Sequence, residues 1–168
     1  MKCNALLILF AALLAGCTLP VRAPVELQTK FDKVEHDSYK QPGTGAIVGQ
    51  GFLRQRGGGV VTCAGSPVLL MPATSFFREA IGHLRNGHQI AVNDKIDPSY
   101  KSIIKQSQCD AQGNFSFSLL SAGTWLVTTD VKWVVGKYQS EQGGTLMREV
   151  TVVNDQPSQA LLSDNDRL

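Results

Sequence analysis

The sequence predicts a mainly β protein, an antiparallel β-sandwich of about seven strands with one short helical insertion. Two observations carry that expectation. First, period-two alternation runs through two neighbouring segments. Phe115, Phe117 and Leu119 alternate with Asn114, Ser116 and Ser118, and then Trp125, Val127, Thr129, Val131, Trp133 and Val135 share one face of a second strand. Polar Thr128, Asp130 and Lys132 sit opposite, which predicts one wet face, as is common in antiparallel sheets. Second, short apolar runs separated by glycine-rich turns recur between residues 45 and 162.

In chain order, residues 1–16 read as a secretion signal. Lys2 supplies a positive start, and residues 5–15 form an apolar run shorter than the roughly 20 residues a membrane span needs. Leu14, Ala15, Gly16 and Cys17 resemble the lipobox of bacterial lipoproteins. The resemblance implies cleavage before Cys17, diacylation of its thiol and acylation of its new amine; ordinary secretion is the alternative. Acyl chains contribute roughly 0.8 kcal/mol per buried CH₂, so two or three of them anchor firmly. By the same resemblance, Thr18 rather than an aspartate after the cysteine points to the outer membrane.

Residues 17–44 read as the lipidated cysteine and a flexible tether, punctuated by Pro20, Pro24 and Pro42, with a possible short helix at 25–34. The domain spans 45–162. Residues 46–54 predict a first strand, with Gly49 and Gly51 marking a bulge or close approach. Residues 57–59 are a triple-glycine turn, and 60–63 and 67–71 are short strands around a bend at 64–66. Thr74 predicts an N-cap for a helix with Phe77, Ala80, Ile81 and Leu84 on one face, ending at Asn86 and Gly87. Residues 89–92 and 100–108 are extended candidates around a loop at 93–99. Asp110 and Gly113 mark a tight turn before the alternating strands, whose aromatics Phe115, Phe117, Trp125 and Trp133 are expected inside. After a turn at Gly143 and Gly144, residues 146–153 predict a strand, 160–162 a last short one, and 163–168 a polar tail.

Export sets the cysteine arithmetic. Cys3 leaves with the signal and Cys17 is consumed by lipid, so Cys63 and Cys109 remain as a pair in an oxidising compartment. They are expected to form one disulfide closing the segment that carries the helix; two buried free thiols, or a reactive thiol, are the alternatives.

The run Asp110, Gly113, Phe115, Phe117, followed by Leu120, Gly123 and Trp125, resembles carboxypeptidase regulatory-like domains, which are small prealbumin-like (transthyretin-like) sandwiches. Gly45, Ile47 and Gly49 resemble that family's first strand, and Gly65, Pro67, Val68 and Leu70 its second. The resemblance implies a seven-stranded sandwich over residues 45–162 in which Asp110 caps a hairpin turn and the aromatics fill the core. Two departures stand out. Ser121 and Ala122 replace the usual proline before the second glycine motif, and residues 73–107 exceed the family norm.

Function classes narrow by exclusion. The net charge is +2 and no basic stripe is present, so nucleic acid is not an expected partner. His83 and His88 are five apart and His36 stands alone, so neither a metal nor a cofactor is expected. No nucleophile motif is present, so the chain is read as a non-enzyme. The expected function is a membrane-anchored accessory module with an envelope protein partner; the alternative is a carbohydrate- or envelope-polymer-binding module. The alternative requires exposed aromatics, such as Phe76, Phe77 or Tyr100 on the insertion. Trp125 and Trp133 would serve only if their face were wet, and the valines on that face read as core.

Cys17→Ser is expected to abolish acyl labelling and release the mature chain from the membrane fraction. Undiminished labelling of that variant would refute lipidation at this residue.

Overall fold

The computed structural model describes residues 23–136 and 141–168; the lipobox and Cys17 lie outside the described residues. The architecture is the predicted β-sandwich. Sheet I is built on β1 (Gly45–Arg54), which pairs antiparallel with β2 (Val60–Thr62) and β5 (Asn114–Leu120) and parallel with β8 (Pro157–Leu162). Sheet II is antiparallel, in the order β4 (Lys105–Gln108), β3 (Pro67–Pro72), β6 (Gly123–Val134), β7 (Glu141–Val152). Eight strands are thus present among the described residues, and two helices flank them: α1 (Lys33–Lys40) and α2 (Ser75–Arg85).

Between the sheets, Ile47, Phe115, Phe117, Leu120, Trp125, Val127, Val131 and Leu162 form one apolar core. Strand β1 lies close against its neighbours at Gly49, where an added methyl would meet the Ala160 carbonyl and the Phe115 ring. The Asp110 turn forms as the sequence predicts. Its carboxylate accepts from the amides of Gln112 at 2.9 Å and Asn114 at 2.8 Å. The Asn114 side chain and these amides hold the carboxyl below the usual aspartate range.

The disulfide Cys63–Cys109 is formed, with the Cα atoms 5.8 Å apart. Cys63 follows β2 of sheet I and Cys109 follows β4 of sheet II, so the bond joins the two sheets as well as closing the insertion. Both residues are buried in the sandwich core.

Several expectations are corrected. Leu119 points outward, 66% exposed with φ +54°, and Leu120 takes the inward place. The β1–β5 register shifts between Gly45 and Ile47, so three residues of β5 span two of β1, and this bulge reverses the alternation. Gly143 and Gly144 are not a turn but ladder residues of β7, opposite Lys132 and Val131. Gly143 has φ +112° and lies so close to the Val131 carbonyl that a side chain has no room there. Residues 89–92 make only a single parallel bridge, Ile90 to Val25. Of the extended candidate 100–108, only Lys105–Gln108 is a strand; residues 100–103 belong to a 3-10 helix, Pro98–Ile103, opened by Pro98 and capped by the Asp97 carboxylate. The hydroxyl and amide of Ser99 and the ammonium of Lys33 hold that carboxyl at a pKa of about 2.

The expected wet face of β6 is covered. Leu126 is fully buried and Thr128 nearly so, on the side of sheet II that faces away from the sandwich. Helix α2 lies there with Phe76, Phe77 and Ile81 against Leu126, Met71 and Met147 in a second core. Leu84, expected on the packed face, is 45% exposed; Phe76 takes its place. An Arg78–Glu149 ion pair, 2.8 Å, ties α2 to β7.

Residues 25–40, expected as tether, fold onto this layer. Leu27 and Phe31 pack against the second core. The amides of Gln28 and Thr29 donate to the Glu79 carboxylate at 2.7 and 2.8 Å. The helix begins at Lys33 rather than 25, because Asp32 caps it by accepting from the Val34 amide. His36 is completely buried. Its Nδ1 donates to the Asp32 carbonyl, and its Nε2 lies 2.9 Å from the Thr74 hydroxyl. That contact engages Thr74, which therefore begins α2 without the side-chain cap its identity predicts. The expected polar tail is also docked. Arg148 grips Asp166 through two hydrogen bonds, and the Leu168 amide donates to Thr145. No helix among the described residues is long and apolar enough to cross a membrane.

Reducing Cys63–Cys109 frees a loop of 46 residues' separation, a loss of about 4 kcal/mol in the chain-entropy model, which should lower the melting temperature by roughly 10–20 °C. Thiol alkylation of the denatured protein checks the pairing: both cysteines should react only after reductant is added.

Candidate functional site

At one end of the sandwich the two sheets are of unequal length. Strand β1 ends at Arg54, and the chain turns through Gln55 to Gly59, closed by the Gln55 amide on the Gly59 carbonyl at 2.7 Å. Strand β6 continues past this point, so its last inward residue, Trp133, loses part of its cover. The ring packs against the main core on one side and is half-buried. The space left is an open cleft of about 830 Å³, lined by Arg54, Gln55, Arg56 and Gly57 on one wall, Trp133, Val135, Gln142 and Gly143 on the other, and Arg167 at the edge. Its size lies within the range of small-ligand clefts.

Local structure sets each side chain. Period two along β1 sends Leu53 inward, fully buried, and Arg54 outward. The Arg54 amide donates to the Asp164 carboxylate at 3.3–3.4 Å, and its guanidinium lies 5.8 Å from the centre of the Phe52 ring. Gln142 pairs with Trp133 in the β6–β7 ladder and so stands beside the indole. Arg167 is held by the Gly143 carbonyl at 3.3 Å and by Asp164 at 3.7 Å. Just outside, Asp130 and Glu141 flank Lys132 and raise its pKa.

The lining can bind and orient. An indole face packs against apolar CH groups, and amides and guanidinium groups donate to oxygen. Among the described residues that line the cleft, none is a carboxylate, histidine, serine or cysteine.

The sequence-predicted site residues lie elsewhere. Cys63 and Cys109 are in the core as a disulfide. Phe76 and Phe77 are buried under α2 and Tyr100 is half-buried against Phe76, so these three form no exposed platform. His83 and His88 come near each other, ring centres 5.8 Å apart, with Glu79 at 3.7 Å from His83, but Glu79 is engaged by the amides of Gln28 and Thr29. Trp125 is fully buried, edge-on to Tyr39, and donates to the Ser121 carbonyl at 3.1 Å. Trp133, expected inside with it, is corrected to the cleft wall. Arg54, Gln55, Arg56, Gln142 and Arg167 were not singled out by the sequence. The one local signal for them is a pair of arginines flanking a glutamine directly before three glycines, which places charge at a turn.

A second depression of about 660 Å³ lies over β1, β5 and β8, lined by Gln50, Gln108, Asn114, Ser116 and Gln159. Among its described lining residues the one aromatic, Phe115, is 5% exposed, and the carboxylate, Asp110, is spent on the turn.

No protein-family model matches the chain, and no curated protein matches it. Among solved structures it is similar to a protein from Pseudomonas aeruginosa described as a "putative carbohydrate binding protein". The TM-score is 0.65 at 24% identity, over 80% of this chain and 98% of that one. This likeness establishes the sandwich fold.

The two tryptophans differ in access. Acrylamide should quench a fraction of the native fluorescence that Trp133→Phe removes and Trp125→Phe leaves. The reverse pattern would put Trp133 in the core after all.

Proposed function

We propose that the chain is a lipid-anchored, non-catalytic envelope module that binds carbohydrate in the Trp133 cleft. The observation that carries the reading is the half-buried indole flanked by Gln55, Gln142 and three arginines. A pyranose has one CH-rich face suited to an indole and a rim of hydroxyls suited to amides and guanidinium groups. The description of the Pseudomonas aeruginosa protein, which shares the fold, supports the same class of ligand. The lipid anchor rests on Cys17 and the apolar run before it, with the outer membrane as the proposed site. Membership of the carboxypeptidase regulatory-like group is likewise a proposal, resting on the Asp110–Trp125 motif. Non-catalytic action is supported by the carboxyls with lowered pKa, each of which holds local structure: Asp97 and Asp110 their turns, Glu79 the N-terminal strap, and Glu26 the ion pair with Lys95.

Glycan-array and peptidoglycan pull-down with the mature protein, extracted in detergent, should return saccharide ligands. Trp133→Ala should weaken that binding by about tenfold or more, with the protein still folded and the melting temperature lowered by roughly a few °C from lost packing. Glycan binding that survives this substitution, or crosslinking in cells that returns only a protein partner, would overturn the reading.

A further inference from the structure

We propose that the saccharide held in this cleft carries an anionic substituent, a ring carboxylate or phosphate, which Arg54 and Arg56 grip while Trp133 packs on the sugar face. The inference rests on the Trp133 cleft being the carbohydrate site. Arg54, Arg56 and Arg167 are among the described residues that line the cleft, and none of the described lining residues is a carboxylate. Asp164, just behind the lining, offsets one of them by pairing with Arg167 at 3.7 Å. Arg54 and Arg56 have no ion-pair partner among the described residues, in a chain whose formal net charge is only +2. Two arginines without an ion-pair partner among the described residues thus border one small concavity, Arg54 with its guanidinium near the Phe52 ring at the rim, where low-dielectric walls focus the field.

The residue type adds to this. Neutral hydroxyls are met adequately by amides, which Gln55 and Gln142 already supply. Arginine presents a planar fork that matches a carboxylate or phosphate with two parallel hydrogen bonds, and such charge-assisted bonds are about twice as strong as neutral ones. The two arginines are also placed for this use. The backbone of Arg54 is fixed at the end of β1 by the hydrogen bond its amide donates to the Asp164 carboxylate, and Arg56 is carried on the turn closed by Gln55 and Gly59. Arg167, already occupied by Gly143 and Asp164, is a fixed wall rather than a free ligand group.

Matched pairs of glycans test this with the mature protein: polygalacturonate against its methyl ester, hyaluronan against its carboxyl-reduced form, and phosphomannan against dephosphorylated mannan. In at least one pair the charged member should bind about tenfold more tightly than its neutral form. The first two pairs against the third separate carboxylate from phosphate. Arg54→Gln with Arg56→Gln should erase the difference within the pair, weakening the charged member by about tenfold and the neutral member much less. Both side chains are exposed, and unchanged melting temperatures would confirm an intact fold. Trp133→Ala should weaken both members. Equal binding across every pair, still lost in Trp133→Ala, would overturn the anionic inference and leave the carbohydrate reading standing. No binding to any member would overturn both. Charged-polymer binding that survives Trp133→Ala and disappears at about 0.5 M salt would be surface electrostatics only, and would overturn both as well.

Discussion

Leu126 is fully buried on the side of sheet II that faces away from the sandwich, and much of the protein outside the sheets follows from that. A strand apolar on both faces needs cover on both. Sheet I covers one face with Ile47, Phe115 and Phe117. The other is covered by four separate pieces of chain: residues 25–40 as an N-terminal strap, α2, residues 96–104 and the C-terminal residue, which bring Leu27 and Phe31, Phe76 and Phe77, Ile96 and Tyr100, and Leu168 to the same cluster. Polar contacts fix their placement: Gln28 and Thr29 to Glu79, Arg78 to Glu149, Lys33 to Asp97, and Arg148 to Asp166. The molecule is thus a three-layered unit rather than a two-sheet sandwich with a loose insertion.

The sheet ends explain why the Trp133 cleft lies where it does. Strands β1 and β6 are both long, but β1 stops at Arg54 and turns, while β6 runs on to Val134 with β7 paired beside it to its last residue. Trp133 keeps the inward orientation of Trp125 and Val131 and has lost only part of the roof above it. The charge beside it comes from the turn that ends the roof. Arg54 is exposed because it takes the outward face of the last β1 position, and Arg56 because it lies on the turn.

The strands were largely legible because burial on one face imposes a period of two on side chains. The Asp110 turn was legible because its chemistry is local: one carboxylate, two amides and a glycine within five residues. What the sequence hid depends on contacts distant along the chain. Thr128 reads as wet because nothing nearby in sequence says that α2 lies over its face. His36 reads as a surface residue because its partner Thr74 is 38 positions away. The bulge that turns Leu119 out is a register effect of pairing with β1 and leaves the apolar pattern itself intact. The cleft was the least legible part, since it joins the end of β1, the β6–β7 ladder and Arg167 from opposite ends of the chain, and Trp133 alone carried any prior hint.

The docking of residues 25–40 changes how far the domain can reach. Only eight positions separate Cys17 from Val25, the first residue bridged to the body of the protein. Fully extended, eight residues cover at most about 30 Å, against about 90 Å for the whole stretch to Gly45. If Cys17 is acylated as proposed, the docking of the strap leaves a short leash, and the domain's attachment point stays within about 30 Å of the lipid surface. A binder held so close does not search for distant polymers. It meets the glycans already lying along the membrane surface, and its gain comes from high local concentration in that thin layer rather than from a deep, tight site.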